Sequence, residues 1–503
     1  MCLDDMVDAC SIVRIIDRFI QVCDLEELGF SNTDPKERGR NSYSPNTLAK
    51  LFMFCYEEGI RSSRRIEKAC RTNTEVMWLV GGLAPDFKTI ADFRRDNTSA
   101  LTALFFEFNS FLESAGLFGK RLVAVDGTKI KASNSKRRNI SKKSLERRIE
   151  HHEAAAAEFF QKAQQEDDIE AADGLFEKAA AAQAKADEAE GFLAEMDRDQ
   201  VSEISLTDPD ARCMGKGRQG MHVAYNVQTA VDAKCHLIAD LNVTNRADDH
   251  GQLSDMATRT QETMRKHDIT FIADKGYYGI ADLKACRNLG IDCVVAPQGK
   301  PGSANNSRYS IDNFTYDAQD DCYLCPKGER LTCKSKESSL AKVYSNKNAC
   351  AACEAQKECK SANLEYRKVI RQPDSEVLEW ADERYYANTE LYKQRQQLVE
   401  HPFGTVKRTM GGDHFLLRGM EKVRCEAALL LTGYNLKRAM TELGFYGLMA
   451  RLDEYAALIG APNTLLSSIL ALTRLFHGVI GALRAAFQVI NPMKHRCPNA
   501  LSA

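Results

Sequence analysis

The chain has 503 residues, 44% apolar and 27% charged, which is an ordinary composition for a globular protein but too long for one small core, so two to four domains are expected. Its net charge of −2 hides an uneven distribution: residues 150–210 carry 18 acidic and 4 basic side chains, leaving the remainder at +12. That excludes a uniformly acidic protein and suits a polyanion partner, whose phosphates release counterions on pairing with Lys or Arg, although scattered solvated lysines would give the same count.

Met1 is followed at once by Asp4, Asp5 and Asp8 instead of a basic start and an apolar run, so no export signal is expected. Seventeen cysteines without such a signal point to reduced thiols and a cytoplasmic location. The apolar stretch 464–487 is interrupted by Arg474, His477 and Arg484, and its Leu466, Ile469, Leu470, Phe476, Ile480 and Leu483 recur at helical spacing. An amphipathic helix is expected there, and no membrane partner.

Residues 1–115 read as helical. Leu48, Leu51, Phe52 and Cys55 follow the Ser44-Pro45 start signal at helical spacing. Arg61, Arg64, Arg65, Lys68 and Arg71 gather mostly on one helical face, and a second helix is predicted after Ala84-Pro85-Asp86, with Phe87, Ile90 and Phe93 inward and Arg94 and Arg95 outward. Short helices with a basic face suit a helix-turn-helix module or, equally, a solvated bundle.

At Arg121 the period changes. LVAVDG predicts a buried strand ending at Asp126 and Gly127, followed by a basic stretch of Lys129, Lys131, Lys136, Arg137, Arg138, Lys142, Lys143, Arg147 and Arg148. The Ala- and Glu-rich segment to about residue 200 predicts two long helices turning near 166–174. HVAYNVQTAV (222–231) and CHLIADLNV (235–243) predict a hairpin. A helix at 250–266, the strand ITFIAD (269–274), a helix at 280–289 and the strand IDCVVA (291–296) follow. Three consecutive strands and then alternation with helices imply an α/β fold with a mixed sheet. A loop-rich, cysteine-rich interval (300–365) precedes helices to the C-terminus.

Two of these strands stop at an aspartate: VAVDGTK and FIADKGYYG. A lone aspartate at a strand end is usually a cap; two with the same apolar approach are where an α/β fold would put chemistry. Two-metal phosphoryl transfer needs clustered oxygen ligands, and carboxylates suit Mg²⁺. A third is expected from 392–412, where Glu400, Phe403, Gly404 and Lys407 have the spacing of one helical face. Pro402 implies a helix that kinks or begins there, which would set Glu400 at a helix N-terminus. Asp232, Asp248 and Asp249 compete, but their polar, turn-like settings favour capping or surface roles; Asp249 or His250 could alternatively support the metal ligands from behind.

These segments resemble the DDE transposases of bacterial insertion sequences. YSPNTLAKLFMFCYEEGIRSSRRIEKAC and APDFKTIADFRR are similar to that group's N-terminal helical domain, and VAVDGTKIKAS to its first-aspartate block. GMHVAYNVQTAVD and HLIADLNVTNRADDHGQL resemble the next two strands, and FIADKGYYG the second-aspartate block. The family's Tyr-Arg-Glu-Lys signature corresponds to Tyr392, Arg395, Glu400 and Lys407, with four residues between Arg395 and Glu400 where three are common. The resemblance implies an RNase H-like catalytic fold with Asp126, Asp274 and Glu400 as catalytic ligands of two Mg²⁺ (or Mn²⁺) ions. Tyr392, Arg395 and Lys407 would contact DNA. A homodimer on double-stranded DNA is likewise implied, the DNA being the element's terminal inverted repeats and the target.

Cys322, Cys325, Cys333, Cys350, Cys353 and Cys359 fall in one interval, and two C-x2-C pairs about two dozen residues apart match a tetrahedral structural zinc site. The interval also resembles a cysteine-rich insertion of this transposase branch, in which Cys325, Cys350, Cys353 and Cys359 correspond to the recurring set. Four of Cys322, Cys325, Cys350, Cys353 and Cys359 are therefore candidate zinc ligands.

The expected organisation is a DNA-end-binding helical domain (1–115), a catalytic domain (116–300 and 366–445) with a helical insertion (142–205) and a cysteine-rich insertion (301–365), and a C-terminal helical region (446–503). DNA contacts are expected from Arg61, Arg64, Arg65, Lys129 and Lys131. The expected function is cleavage at the ends of an insertion sequence and joining of the 3′-OH ends to target DNA. The alternatives are an inactive or repurposed DNA-binding derivative, and an RNase H-like nuclease that only cuts.

Overall fold

A computed structural model describes residues 2–31, 43–135, 138–198, 201, 203–215, 220–298, 308–335, 341–360 and 364–460. Lys136 and Arg137 of the basic stretch, and most of the expected C-terminal helical region, lie outside these residues.

The N-terminal third is helical: α1 (Ile12–Val22), α2 (Pro45–Glu57), α3 (Ser63–Thr72), α4 (Thr74–Leu79), α5 (Phe87–Asp96) and α6 (Thr98–Ser114). Local chemistry sets their starts. Ser11 and Ser62 accept from Val13 N and Arg65 N at 3.3 Å, Asp86 accepts from Thr89 N at 2.8 Å, and Pro45 occupies the first turn of α2. Within α5, Ile90 and Phe93 are buried as expected, but Phe87 is exposed beneath the Arg64 guanidinium, 5.0 Å from its ring centre. Arg94 turns inward to the Tyr56 hydroxyl at 2.8 Å. A buried hydrogen-bond acceptor, invisible to helical periodicity, overrides the outward expectation.

The central sheet is built from β1 (Leu122–Lys131), then β4 (Arg212–Met214), β5 (His222–Asp232), β6 (Ile238–Thr244), β7 (Thr270–Ala273) and β8 (Asp292–Val295). Between β1 and β4 lie β2 (Asn139–Ser141), the long hairpin α7 (Lys142–Gln164) and α8 (Ile169–Arg198), and β3 (Glu203–Ser205), which pairs with β2 at the hairpin's base. The path β5-β1-β7-β8 is antiparallel at its first step and parallel at the next two. Both β4 and β6 pair antiparallel with the far edge of β5. Helices α9 (Leu253–Met264) and α10 (Ile280–Asn288) flank β7 in sequence. This mixed α/β sheet with helices on both faces is consistent with an RNase H-like fold.

The cysteine-rich interval contains more regular structure than its sequence suggests. It holds β9 (Thr315–Asp317), β10 (Cys322–Leu324), β11 (Arg330–Cys333), β12 (Lys342–Ser345) and, after the short α11 (Lys347–Ala351) and α12 (Gln356–Cys359), β13 (Lys368–Arg371). Together they form one antiparallel five-stranded sheet. Strands of three or four residues are too short for a period-two pattern to register. The chain then returns to the central sheet through α13 (Ser375–Ala387), α14 (Thr389–Gly404), a π-helical turn (Thr405–Thr409) and α15 (Met420–Gly460), which is broken at Gly444 (φ 65).

Strand alternation sorts the two faces. Val123, Val125 and Ala230 face a core with α9, α10 and α13, while Ala124, Ile272 and Val294 face Leu398 and Val399 of α14. On that second face, Tyr225, Val227, Val231 and Leu241 continue into a core shared with α1, α2, α6 and α15.

Candidate active site

The parallel pairing of β1 with β7 ends at Val125–Ala273, so the residues that follow, Asp126 and Asp274, are side by side. Here the structure corrects one expectation. β1 does not stop at Asp126; it continues to Lys131 because β5 pairs with it throughout, from Val123–Asp232 to Lys131–Ala224. Only β7 ends, and Asp274 caps the turn beyond it by accepting from Gly276 N at 2.7 Å. Asp126 shares the parity of Ala124 and therefore projects toward α14.

Helix α14 lays Leu398 and Val399 on the sheet, and Arg395, one turn before Val399, reaches Asp126 Oδ1 at 3.5 Å. Burial pushes the Asp126 carboxyl up to about 7, against the pull of Arg395 and with the help of Asp274 and Asp249. Tyr392, on the preceding turn, packs edge-on against Tyr385 with ring centres 5.0 Å apart, and burial raises its hydroxyl pKa with Arg395 opposing.

Pro402 neither breaks nor starts α14; the helix runs through it and gives way to the π turn only after Gly404. A π turn takes more residues per revolution than an α turn, so Lys407 no longer shares a face with Glu400. Lys407 turns inward to Thr128 Oγ1 (2.5 Å) and the Lys129 carbonyl (3.3 Å). Burial holds its pKa below the usual lysine range, with Asp126 and Asp413 opposing. Glu400 is exposed, in the last turn of α14, and accepts from Gln396 Nε2 at 2.9 Å. Thus Asp126, Asp274, Arg395, Tyr392 and Lys407 come together, while Glu400 stands on the same helix without touching them.

Two family models match the chain: a transposase DDE domain over residues 324–440 and a transposase domain (DUF772) over residues 1–96. The first spans Tyr392, Arg395, Glu400 and Lys407; the second covers α1 to α5. Both matches support a DDE transposase of the insertion-sequence type. A search of curated proteins finds no match.

The fold separates the other sequence candidates. Arg61 is not a surface contact: it is buried, donating to Glu426 Oε1 at 3.1 Å and the His414 carbonyl at 2.7 Å. Arg64, Arg65 and Lys131 are exposed and Lys129 is half-buried. An open cleft of about 790 Å³ is lined by Arg65 and Lys68 together with Asp8 and Glu75. Asp232 serves as a cap, accepting from Gly119 N, Lys120 N and Lys234 N at 2.8–2.9 Å.

Asp249, weighed in the sequence only as a capping, surface or supporting residue, shares the space beside Gly276 with Asp274, and its charge helps to raise the Asp126 pKa. It accepts from Asn226 Nδ2 (2.8 Å) and Gln228 Nε2 (2.7 Å), and Tyr277 donates to Gln228 Oε1. The sequence signal available was the position of NRADDHG directly after β6, whose hairpin partner β5 lies beside the Asp126 strand; nothing in it specified the inward turn of the second aspartate.

The donor chemistry fits a hard divalent cation: three carboxylates, one of them held near neutrality by burial and like charge, beside a single guanidinium. Among the described residues no three His, Cys, Asp or Glu side chains form a ready metal cage; the positive charge next to Asp126 is Arg395. In the cysteine-rich sheet, a small cavity of about 40 Å³ is lined by Cys325, Cys350, Cys353 and Cys359. Burial raises the Cys359 thiol pKa; Arg367 opposes, and Cys350, Cys325 and Cys353 add to it. Cys322 is buried on β10 and is not among the cavity's lining residues.

Proposed function

We propose that this transposase cuts DNA at the ends of an insertion sequence and joins the freed 3′-OH to target DNA, with Asp126, Asp274 and Glu400 holding two Mg²⁺ or Mn²⁺ ions. The observation that carries this is the pair of aspartates on adjacent parallel strands, one of them pushed by burial up to about 7 and reached by Arg395 of α14. Bound divalent ions would supply the polarisation of attacking and leaving oxygens that such chemistry needs. Glu400 would exchange its hydrogen bond with Gln396 for the metal site. Arg395 and Lys407, each next to Asp126 or its strand, would meet phosphate oxygens, and half-buried Tyr392 would stack or hydrogen-bond at the cut.

DNA recognition falls to Arg64, Arg65, Lys129, Lys131 and the exposed basic residues leading into α7, working as a homodimer that brings two element ends together. A structural zinc ion held by Cys325, Cys350, Cys353 and Cys359 would brace the five-stranded sheet.

The test is cleavage and joining of DNA carrying the element's terminal repeats, with Mg²⁺, by wild type and Asp126→Asn. Wild type alone should cut and join, while the variant keeps its DNA affinity and loses at least a thousandfold in rate. Binding without cutting by both proteins would favour an inactive DNA-binding derivative, cutting without joining a nuclease, and equal cutting would remove Asp126 from the site.

A further inference from the structure

Asp249 follows β6 in the loop that leads to α9, and neither strand carrying the two paired aspartates contributes it. Its placement is nonetheless tightly built. Asn226 and Gln228 are fully buried on β5, where the register sets them opposite Lys129 and Gly127. Both amides donate to the same oxygen, Asp249 Oδ1, at 2.8 and 2.7 Å. Gln228 is itself fixed by the Tyr277 hydroxyl, and Tyr277 sits in the turn capped by Asp274. The carboxylate of Asp249 is thereby tied to β5 on one side and to the Asp274 turn on the other.

Two glycines make room for it. A Cβ on Gly127, the residue after Asp126, would lie 2.4 Å from Asp249 Oδ1 and 2.3 Å from Gln228 Nε2. A Cβ on Gly276 would lie 2.8 Å from Asp274 Oδ1 and 3.3 Å from Asp249 Oδ2, so oxygens of both aspartates crowd a single point. Neither contact is compatible with ordinary packing, which rationalises glycine at both places in VAVDGTK and FIADKGYYG. The amides hold Oδ1 and leave Oδ2 on the Asp274 side, where it accepts no hydrogen bond among the described residues.

An independent feature points the same way. Among the described residues Asn226 Oδ1 is buried without a hydrogen-bond donor, 3.0 Å from the same Gly127 position that Asp249 approaches. A buried acceptor left unmatched costs about 1–3 kcal/mol. Here it adds one more oxygen to a region holding three carboxylates and, at Asp126, a single guanidinium. Such a concentration of oxygen atoms is what a hard cation stabilises.

We propose that Asp249 is a further ligand of the cation centre at Asp126 and Asp274, aimed there by the Asn226 and Gln228 amides and admitted by Gly127 and Gly276. It rests on the metal-dependent function proposed above. The assignment makes the aspartates of three separate segments, β1, the β6–α9 loop and the β7 end, the part of the centre that assembles with the fold. Glu400 is the part that comes from the covering helix.

The test is Mn²⁺ binding to the full chain without DNA, followed by the paramagnetic resonance signal of free Mn²⁺ and by the Mn²⁺-induced rise in Tm. Asp249→Asn keeps an oxygen for the two amide donors and replaces only Oδ2, so the fold is retained, and the Tm without metal reports that directly. The expected result is at least a tenfold weaker Mn²⁺ affinity and a smaller Tm rise in Asp249→Asn, as in Asp126→Asn. Loss in Asp126→Asn alone, with Asp249→Asn binding like wild type, would overturn the role of Asp249 and leave the metal-dependent function standing. Mn²⁺ binding by Asp126→Asn as tight as wild type, or no binding by wild type, would remove the metal centre itself and this proposal with it.

Discussion

Arg61 and Arg65 lie within one turn of the same basic stretch, yet the fold separates their tasks. The Arg61 guanidinium is buried against Glu426, whose carboxylate also accepts from Leu416 N and Leu417 N at 2.9–3.1 Å. Removing one partner of such a buried pair leaves the other charge uncompensated, at a cost of roughly 3–5 kcal/mol. Arg61→Ala should therefore lower unfolding stability by that amount in denaturant titrations. Arg65→Ala and Lys68→Ala, at exposed positions, should leave stability within about 0.5 kcal/mol and each flatten the log–log salt dependence of DNA binding by about one unit. A change in salt slope for Arg61→Ala with unchanged stability would reverse these roles. The sequence showed where the basic residues cluster but not this division, because Glu426 is 365 residues away. The same limit applies at the candidate site: that Asp126 and Asp274 close apolar runs could be read locally, whereas the placement of Asp249 depends on amides of a neighbouring strand that no local pattern announces.

At the scale of elements, the long periodic segments were the most legible. The α7–α8 hairpin, the β5–β6 hairpin and the β7-α10-β8 alternation follow the sequence closely because each is long enough for its period to show. Helix α14 was harder. Its proline suggested a kink or a start, but the helix runs through Pro402 and relaxes through a π turn that redirects Lys407 inward. The five-stranded sheet around the cysteines was the least legible, and its thiols lead to a prediction. Its apolar core is small, consisting of Phe314, Leu331, Tyr344 and Val369 with partly buried neighbours, so a metal crosslink would add much of its stability. Purified protein should contain about one zinc per chain by elemental analysis. Cys359→Ser or Cys350→Ser should lose it, and Cys322→Ser should retain it. Retention by Cys359→Ser with loss by Cys322→Ser would instead select the two C-x2-C pairs.

At the scale of the whole molecule, the N-terminal helices and the catalytic sheet share one apolar core, joined by α15. The close approach of α15 to α2 needs Gly433, where a Cβ would lie 2.9 Å from the Glu57 backbone. Beside this contact Lys437 donates to Glu57 Oε1 at 2.6 Å, while Glu57 Oε2 is buried without a partner among the described residues. Burial pushes the Glu57 carboxyl up to about 7, with Lys437 pulling the other way. In the unfolded chain the same group ionises near 4.3. Between those values the folded protein holds a proton that the unfolded chain has released, so this contribution is fully present below about 4.3 and is lost as pH rises through about 7. A shift of this size corresponds to roughly 4 kcal/mol between the two limits. Glu57→Gln cannot ionise, and its stability relative to wild type should accordingly rise from pH 5 to pH 8 in matched denaturant titrations. Because the core is continuous, the change should appear in the main unfolding transition and be reported equally by probes on the N-terminal helices and on the sheet. A gap between wild type and variant that stays constant over that range would mean Glu57 ionises normally in the folded chain, and a change confined to the N-terminal helices would mean they unfold separately from the sheet.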